Sequence, residues 1–362
     1  MSGFGQRLRR ARKRSGMTQQ DLASALGVTQ PTVNRWETGV VDPPRRRIVL
    51  AARLLGVVPA WLEFGEEERT SVMTDEQAAR RAGREGRVAF QGVPGAYSHL
   101  ACASVFPAMD AVAFPTFDAA FRAVEDGDTD LAMIPIENSL GGRVADIHHL
   151  LPNSSLYIID EHFQPVQHQL LGLKGATLDG IREVWSHEQA LAQCRDLITE
   201  LGVKAVQRAD TAGAAREIAE KGDKTIAAIA SSLAGETYGL DALRSRIEDR
   251  IGNTTRFVIL SRRREEPDLR DGPCMTSLIF QVRSVPASLY KCLGGFATNG
   301  VNITKLESYI IDANFTVAQF YAEIEGHPAE KNVDLAFDEL QYFSTKMKVI
   351  GTYPKHPFRM KG

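Results

Sequence analysis

The sequence has few cysteines, no cysteine pair and no long apolar run. Its four cysteines lie far apart and form no CxxC motif, so we expect reduced thiols of a cytosolic protein rather than zinc ligands or disulfides. No apolar stretch approaches the roughly 18 to 20 residues that a membrane-spanning helix requires. The basic N-terminus also lacks the apolar core of a secretory signal. These absences exclude a membrane-spanning protein and a disulfide-rich secreted domain, and they predict a cytoplasmic location.

Two classes of ligand site lack their usual motifs. There is no GxGxxG or GxxxxGK[ST] loop for nucleotide phosphates, and the pair Gly294-Gly295 does not complete one. The histidine pairs His148/His149 and His162/His168 lack metal-ligand spacing and have no cysteine partners. We therefore expect neither a metal ion nor an organic cofactor.

Charge is nearly balanced over the whole chain but is unevenly distributed along it. The net charge is −2 in total, whereas residues 1–65 contain eleven arginines and lysines against four acidic residues, a net +7 that leaves −9 on residues 66–362. A basic head on an acidic body suggests that only the head meets a polyanion. A solvated helix face would have the same composition, so the inference depends on a motif in the head.

The pattern of apolar residues divides the chain into an all-α head, an α/β region and an α+β region. Short amphipathic helices occupy the head, and short strands then alternate with helices, which indicates α/β layers. The last part reads strand, helix, strand, strand, helix, strand, the ferredoxin-like order. The predicted boundaries are the head at 1–65, a charged linker at 66–87, the α/β region at 88–262, a second linker at 263–274 and the α+β region at 275–355.

The head contains two short helices joined by a tight turn. Thr18 followed by Asp21 predicts the start of the first helix and Gly27 its end, and Thr29 is expected to cap a second helix. The stretch from Thr18 to Gly39 resembles the helix-turn-helix domain of Cro and phage-repressor type regulators.

This resemblance implies that the second helix enters the major groove of duplex DNA. Amide side chains there pair with adenine edges, and arginine binds guanine or phosphate. The residues at the matching positions are Gln19, Gln30, Thr32, Asn34 and Arg35. We therefore expect duplex DNA as the partner of residues 1–65. The alternative is a head that serves only as a module for dimer or protein contacts.

Four polar stretches occur in order along the α/β region: Phe90 to Ser98, Pro135 to Gly142, His187 to Cys194 and Asn253 to Phe257. Together they resemble prephenate dehydratase, the enzyme that converts prephenate to phenylpyruvate in phenylalanine synthesis. The resemblance implies a two-lobed fold like that of periplasmic binding proteins. It places the second lobe at about 166–249 and the substrate in the cleft between the lobes.

The polar residues of these stretches suit a substrate that carries two carboxylates. A glycine loop at a helix start offers backbone N–H groups to an anion, and the ends of strands add amide and hydroxyl donors. His187 is predicted either to cap its own helix or to touch the substrate, and capping is favoured. The predicted substrate ligands are Gln91, Tyr97, Ser98, Asn138, Ser139 and Thr254.

The resemblance places Thr255 nearest the leaving hydroxyl group of prephenate. The reaction expels CO2 and hydroxide and forms an aromatic ring, so the departing hydroxide needs assistance but no electron sink is required. A threonine hydroxyl is a poor acid, and we expect it to orient or relay a proton. Arg256 is predicted to pair with a substrate carboxylate. Glu137 is predicted either to act as a general acid or to cap a helix.

The α+β region resembles an ACT domain on the stretches Val285 to Ala297 and Asn302 to Ser308. Such a domain binds amino acids at dimer interfaces, which implies phenylalanine or tyrosine as effector and a homodimer or homotetramer. The usual dehydratase pattern has Gly-Ala-Leu and Glu-Ser-Arg-Pro, and both are altered here, so we expect weakened phenylalanine binding. The implied effector residues are Ala287, Ser288, Leu289, Glu307 and Ser308.

Two functions of different classes remain. The favoured interpretation is a prephenate dehydratase with a DNA-binding head, and the alternative is a transcription regulator whose dehydratase-like lobes sense an aromatic ligand. A sensor has no need of a complete catalytic set, and its presence here favours the enzyme. That set is Glu137, Asn138, Thr254, Thr255 and Arg256.

Overall fold

The structure is a computed structural model that describes residues 4–15, 17–41, 43–55, 57, 62, 75–250, 252–282, 285–310 and 318–360. The chain forms two compact units, Met1–Val72 with Pro357–Gly362 and Met73–His356. Within the described ranges, no helix combines the length and the apolar character needed to cross a membrane. The four cysteines are free and buried.

The first unit is built from α1 (Phe4–Arg14), α2 (Gln19–Leu26), α3 (Gln30–Glu37) and α4 (Arg45–Leu55). A capping box between Thr18 and Asp21 begins α2, and Gly27 ends it with a φ of 62° that glycine adopts readily. Both boundaries agree with the prediction from the sequence. Thr29 precedes α3, but its hydroxyl lies 2.9 Å from that of Thr32 and does not cap the helix backbone as predicted.

Apolar side chains from all four helices form the core of the first unit. Leu22, Val33 and Trp36 are among its buried members. Beside this core, Arg12 Nε lies 2.6 Å from Glu37 Oε1, and the two side chains are only 10% and 2% exposed. This buried ion pair joins α1 to the end of α3, so the second helix of the motif has a fixed orientation within its unit.

The second unit contains three sheets. Its strands are β1 (Arg87–Gln91), β2 (Asp110–Phe114), β3 (Leu131–Asn138), β4 (Gly142–Arg143), β5 (Tyr157–Pro165), β6 (Gln169–Gly172), β7 (Glu183–Ser186), β8 (Lys204–Gln207), β9 (Ile226–Ala230), β10 (Asp241–Ser245), β11 (Thr254–Ser261), β12 (Cys274–Val282), β13 (Ile303–Ile310), β14 (Ala318–Glu325) and β15 (Ser344–Pro354). Strand order is β2-β1-β3-β11-β5 in the first sheet, with β4 on β3, then β10-β6-β9-β7-β8 in the second and β13-β14-β12-β15 in the third.

Helices connect and cover these strands. They are α5 (Asp75–Ala82), α6 (Tyr97–Val105), α7 (Phe117–Asp126), α8 (Ile147–Asn153), α9 (Glu188–Gln193), α10 (Arg195–Leu201), α11 (Thr211–Lys221), α12 (Ser232–Tyr238), α13 (Ser288–Thr298) and α14 (Lys331–Phe343), with 3-10 turns at Leu178–Gly180 and Leu269–Asp271. A further 3-10 turn at Pro357–Met360 belongs to the first unit. β9 is buried at all five residues, because its small apolar side chains allow elements to pack on both faces.

The first two sheets form the two lobes of an α/β region, as the sequence predicts. β1 pairs in parallel with β2 and β3, whereas β11 runs antiparallel between β3 and β5. The chain leaves the first lobe where β5 ends at Pro165 and returns to it where β11 begins at Thr254. The two crossing segments lie side by side, since Val166 N donates to Asn253 O at 2.9 Å.

The third sheet follows the predicted ferredoxin-like order. One face is covered by α13 and α14, and the other shares an apolar core with the first lobe, to which Ile279, Tyr321 and Ile350 contribute. Gly351 allows this close packing, because a Cβ atom at that position would lie 2.0 Å from the carbonyl oxygen of Ile158 on β5. The catalytic candidates on β3 and β11 therefore have the third sheet as a direct neighbour.

The predicted linker at 66–87 lies partly outside the described residues, and its described part contains α5. Arg81 on this helix pairs with Asp160 on β5, and Arg84 pairs with Glu265 in the second predicted linker. Burial raises the pKa of Asp160 to about 6, although the neighbouring Arg81 charge opposes the shift. The end of this segment is therefore attached to the first lobe.

Candidate active site

Two neighbouring residue pairs at the end of the first sheet lie on opposite faces of that sheet. In the ladder between β3 and β11, Thr255 pairs with Asn138 and Arg256 pairs with Glu137. Successive side chains of a strand point to opposite faces of its sheet. Asn138 and Thr255 therefore share one face, and Glu137 and Arg256 share the other.

The amide of Asn138 holds the Thr255 hydroxyl. Its Nδ2 donates to Thr255 Oγ1 at 3.0 Å and to Asn253 Oδ1 at 2.7 Å. Its Oδ1 accepts from the backbone N–H groups of Leu140 and Gly141 at 2.9 and 2.7 Å, so the orientation of the amide is determined by the backbone. Because Thr255 Oγ1 accepts this bond, its own hydrogen is left to donate elsewhere.

The hydrogen-bond chain continues from Asn253 into the second lobe. Asn253 Nδ2 donates to Gln193 Oε1 at 2.9 Å, and the same oxygen lies 3.1 Å from His168 Nε2. An amide oxygen only accepts, so Nε2 of His168 carries the proton. The Tyr97 hydroxyl lies 2.9 Å from both His168 Nδ1 and the carbonyl oxygen of Gln167, and its single hydrogen is donated to one of these two acceptors. Burial lowers the pKa of His168, which favours this neutral form.

Asn253, Gln193 and His168 were not among the predicted site residues. Two of them lie within the stretches that carry the family resemblance, and that was the available signal. They lie on the two crossing segments and on α9, far apart in sequence, so their contact with Thr255 depends on tertiary structure. Together they connect the Thr255 hydroxyl to both lobes.

The predicted substrate ligands after β1 lie at the approach of the two lobes. Gln91 Nε2 donates to Pro115 O at 3.4 Å, and burial raises the pKa of the Tyr97 hydroxyl. Gly95, with a φ of 86°, packs so closely on α12 that a Cβ atom there would lie 2.8 Å from Ala234 Cα. Ser98 lies in the first turn of α6, and no side-chain hydrogen bond caps that helix at Ala96.

Two predicted substrate ligands make internal hydrogen bonds instead. Ser139 Oγ donates to Gly252 O at 3.2 Å and accepts from Thr254 N at 3.0 Å. The Thr254 hydroxyl is buried and lies 3.5 Å from Gly252 O. These contacts fix the end of β3 to the start of β11.

His187 accepts from Gln189 N at 3.3 Å and so caps α9, which confirms the favoured alternative for this residue.

The structure corrects the prediction that Arg256 pairs with a substrate carboxylate. Its side chain is 5% exposed, with Nε 2.8 Å from Glu161 Oε2 and Nη1 2.7 Å from Glu323 Oε1. Nη2 donates to the Tyr353 hydroxyl at 3.1 Å. The prediction failed because Arg256 follows Thr255 on a strand, so its side chain leaves on the opposite face, toward the third sheet.

Neither predicted role of Glu137 agrees with its contacts. Its Oε2 lies 3.0 Å from Lys305 Nζ on β13, and that nitrogen lies 3.7 Å from Glu307 Oε1. Arg143 Nη1 is 3.1 Å from the other oxygen of Glu307. Glu137 therefore belongs to a chain of alternating charges between the first and third sheets, away from Asn138 and Thr255.

The predicted effector residues lie at two places in the third sheet and its helices. Ala287 has a φ of 64°, a left-handed conformation in which glycine is favoured, and it precedes α13. Ser288 is buried and Leu289 partly buried on that helix, whereas Ser308 is exposed on β13. Glu307 takes part in the charge chain described above.

The predicted DNA-contact residues share one surface of α2 and α3. Gln30 Nε2 donates to Gln19 Oε1 at 2.9 Å, and Gln19 Nε2 donates to Asn34 Oδ1 at 3.3 Å. Arg35 is exposed on the same helix. Thr32 is partly exposed and contacts the hydroxyl of Thr29. Three of the five residues are thus hydrogen-bonded to one another.

Comparison with known proteins agrees with the resemblances to a helix-turn-helix domain and to prephenate dehydratase. A family profile described as prephenate dehydratase matches residues 88–265, and one described as a helix-turn-helix domain matches residues 4–63. Among the described residues, no cluster of three or more histidine, cysteine or acidic side chains could hold a metal ion.

Three similar proteins match a larger share of the chain than the family profiles do. The bifunctional N-acyl-homoserine lactone acylase/prephenate dehydratase of Komagataeibacter europaeus is 48% identical over 274 residues, 76% of this chain and 98% of that protein. Arogenate dehydratase/prephenate dehydratase 6 of Arabidopsis thaliana is 40% identical over 300 residues, 78% of this chain and 72% of that protein. The structure of prephenate dehydratase from Arthrobacter aurescens in complex with L-Phe has a TM-score of 0.68 and 28% identity, covering 74% of this chain and 90% of that one.

Proposed function

The chain belongs to the prephenate dehydratase family, and from this premise we propose that it converts prephenate to phenylpyruvate with loss of CO2 and water. The observation that carries the proposal is the hydrogen bond from Asn138 Nδ2 to Thr255 Oγ1 at 3.0 Å. The proposal takes from the family resemblance that Thr255 is the residue nearest the leaving hydroxyl group. The bond from Asn138 leaves the Thr255 hydrogen free to donate to it.

The reaction breaks two bonds at the prephenate ring. Departure of CO2 leaves its electron pair in the ring, and that pair completes the aromatic system as the C–O bond breaks. The departing hydroxide takes up one proton and leaves as water. Thr255 donates a hydrogen bond to this oxygen and stabilises its developing charge, and it relays the proton from solvent because its own hydroxyl is a poor acid.

The substrate carboxylates need donors other than Arg256, whose side chain is committed to Glu161 and Glu323. We propose that the uncapped start of α6, including the N–H and hydroxyl of Ser98, binds one of them. Gln91 at the end of β1 supplies a further amide. This assignment uses neutral donors and the helix dipole in place of a buried cation.

Arogenate differs from prephenate by an amine in place of the side-chain keto group, so both fit the same chemistry at the ring. Arogenate dehydratase/prephenate dehydratases 6 and 1 of Arabidopsis thaliana carry both substrates in their names, whereas arogenate dehydratases 3 and 5 of the same plant carry only arogenate. We propose prephenate as the substrate, and an assay with each compound separates the two. Formation of phenylalanine from arogenate at a higher rate would replace this assignment.

The Komagataeibacter relative also carries an acylase in its name. An acylase that uses a hydroxyl nucleophile requires a base to take its proton. The group that hydrogen-bonds Thr255 is the Asn138 amide, which donates and cannot act as that base. We therefore propose the lyase reaction alone for Thr255, and hydrolysis of an N-acyl-homoserine lactone that is lost in Thr255→Ala would contradict this.

For the head we propose binding to duplex DNA through the surface of Gln19, Gln30, Thr32, Asn34 and Arg35. The net charge of +7 on residues 1–65 supplies attraction to phosphates, so affinity should fall steeply as salt rises. The test is fluorescence anisotropy of the full chain with duplex DNA over a salt series. Arg35→Ala should weaken binding, whereas Arg122→Ala, which breaks an exposed pair with Asp118, should not.

For the third sheet and its helices we propose an amino-acid effector site between two copies of the chain, as a homodimer or homotetramer. The Arthrobacter structure contains L-Phe, which supports an aromatic amino acid. Ala287 in a left-handed conformation supports weaker phenylalanine binding than in relatives with glycine there. Turnover measured against phenylalanine and tyrosine separately, with mass by light scattering, tests both parts.

The decisive experiment for the proposed function is an assay of phenylpyruvate formation from prephenate by the purified full chain. Saturable turnover supports the enzyme. Binding of prephenate or an aromatic amino acid without any turnover would favour the alternative, a regulator whose lobes only sense a ligand.

A further inference from the structure

Four charged residues lie where the first sheet contacts the third. Two are neighbours on adjacent strands of the first sheet, and the other two are neighbours on adjacent strands of the third. Glu137 and Arg256 are cross-strand partners on β3 and β11, and Lys305 and Glu323 are cross-strand partners on β13 and β14. Each strand pair thus presents one acid and one base. The signs are complementary, so Lys305 meets Glu137 at 3.0 Å and Glu323 meets Arg256 at 2.7 Å.

The residues of the first sheet in this contact are the chain neighbours of the catalytic pair. Glu137 precedes Asn138, which donates to Thr255 Oγ1, and Arg256 follows Thr255. Glu137 and Asn138 are joined by one peptide bond in a strand. A contact that fixes the Glu137 side chain therefore also restrains the backbone of Asn138, and with it the direction of the Asn138 side chain. The hydroxyl of Thr255 depends on that direction for its donor role.

The two ion pairs differ in how they can be changed. Arg256 and Glu323 are 5% and 1% exposed. Removing Arg256 leaves a buried carboxylate without its cation, and removing Glu323 leaves the buried guanidinium with Glu161 as its one remaining carboxylate of the two. Lys305 is 10% exposed, whereas Glu137 is 42% exposed and keeps access to water. Removing the Lys305 side chain therefore leaves Glu137 in contact with water rather than as an unpaired buried carboxylate. A positioning role can for this reason be measured at Lys305 without a large loss of stability.

We propose that Lys305, a residue of the third sheet, is a positioning residue of the dehydratase reaction. It holds Glu137 and thereby keeps Asn138 and the Thr255 hydroxyl in the geometry that assists departure of hydroxide. The inference rests on the proposed function. It means that the third sheet contributes a residue to catalytic efficiency, in addition to the effector site proposed above.

The test compares kcat and KM for prephenate in full-length Lys305→Met, Lys305→Arg and Lys355→Met. Lys355 is the matched control, because it follows β15 and forms a similar part-buried pair at 2.7 Å with Glu325, a residue of β14 rather than of β3. Lys305→Met should lower kcat about tenfold. KM should stay within about twofold of wild type, because the proposed hydrogen-bond donors to the substrate carboxylates, Gln91 and Ser98, are unchanged. Lys305→Arg should restore most of the loss, and Lys355→Met should match wild type.

A second variant distinguishes loss of the ion pair from a folding defect caused by the change at Lys305. Glu137→Gln keeps the shape of the side chain and removes the same ion pair from its exposed end, so it should reproduce the fall in kcat. The double variant should lose no more than Lys305→Met alone, because both changes break the Lys305–Glu137 pair and only Lys305→Met also removes the longer contact with Glu307. Equal kcat in Lys305→Met and Lys355→Met overturns the inference while the wild type stays active. An inactive wild type overturns the proposed function and the inference with it.

Discussion

Thr255 and Arg256 are adjacent in the chain, yet their side chains leave β11 on opposite faces. Thr255 accepts a hydrogen bond from Asn138 and connects to the second lobe, whereas Arg256 binds Glu161 and Glu323 beneath the third sheet. One strand therefore carries a catalytic group on one face and a structural ion-pair cluster on the other. This division separates substitutions that should affect chemistry from those that should affect stability.

Arg256→Met should destabilise the fold more than it affects substrate binding. The change leaves the buried carboxylates of Glu161 and Glu323 without their cation, which costs about 3 to 5 kcal/mol in the free energy of unfolding. Urea unfolding of the two proteins measures this loss. Arg256→Lys, which keeps the charge, should lose less. A raised KM for prephenate with unchanged stability would instead place Arg256 at the substrate.

Gln193→Leu should lower kcat by roughly tenfold through Thr255. The substitution removes the oxygen that accepts from Asn253 and His168, so Asn138 loses the support on its far side. Gln189→Leu on the exposed side of the same helix is the control and should be neutral. Steady-state kinetics with prephenate provides the measurement. Equal rates in the two variants would mean that the chain of amides does not position Thr255.

Asp160 should make the stability of the chain depend on pH. Its pKa is raised to about 6 in the fold, above the usual value near 4 of an unfolded aspartate, so the folded state binds the proton more tightly. The resulting stabilisation is present at acid pH and is lost as pH rises through about 6. Thermal unfolding between pH 5 and pH 7.5 should therefore show a fall in Tm that Asp160→Asn removes. An identical fall in that variant would assign the effect to another group.

Ala287→Gly should stabilise the chain. A non-glycine residue at a φ of 64° costs on the order of 1 kcal/mol, and glycine adopts that conformation freely. Ala297→Gly in α13 should have the opposite sign, because glycine weakens a helix interior. Chemical unfolding of both variants checks the two expected changes in stability.

Inhibition by phenylalanine should also strengthen in Ala287→Gly, since the altered motif then regains its glycine.

Patterns local in sequence predicted the helices of the head, the α/β layers and the ferredoxin-like order, whereas the division of the α/β region into two lobes came from the family resemblance. The capping box of Thr18 and the left-handed Gly27 are read from a few adjacent residues, and so their structural outcome could be foreseen. The alternation of side chains along β11 was also available, and it implied that Thr255 and Arg256 could not both face the substrate.

The partners of the site residues could not be read from the sequence in the same way. Glu323 lies 67 residues from Arg256, and Gln193 lies 60 residues from Asn253. Such pairs arise where two lobes and a third sheet pack together, and no periodicity of a single element contains that information. The same reason explains why Lys305 carries no signal as a site residue until β13 is placed beside β3.

The measurement that tests the account most directly is kcat for prephenate in Thr255→Ala and Thr255→Ser beside the wild type. The account assigns the Thr255 hydroxyl the donor role at the departing oxygen, so Thr255→Ala should lose about 10²- to 10⁴-fold in kcat with little change in substrate affinity. Thr255→Ser keeps a hydroxyl within reach of Asn138 and should remain within about tenfold of wild type. An unchanged kcat in Thr255→Ala, in an enzyme that makes phenylpyruvate, would contradict the account.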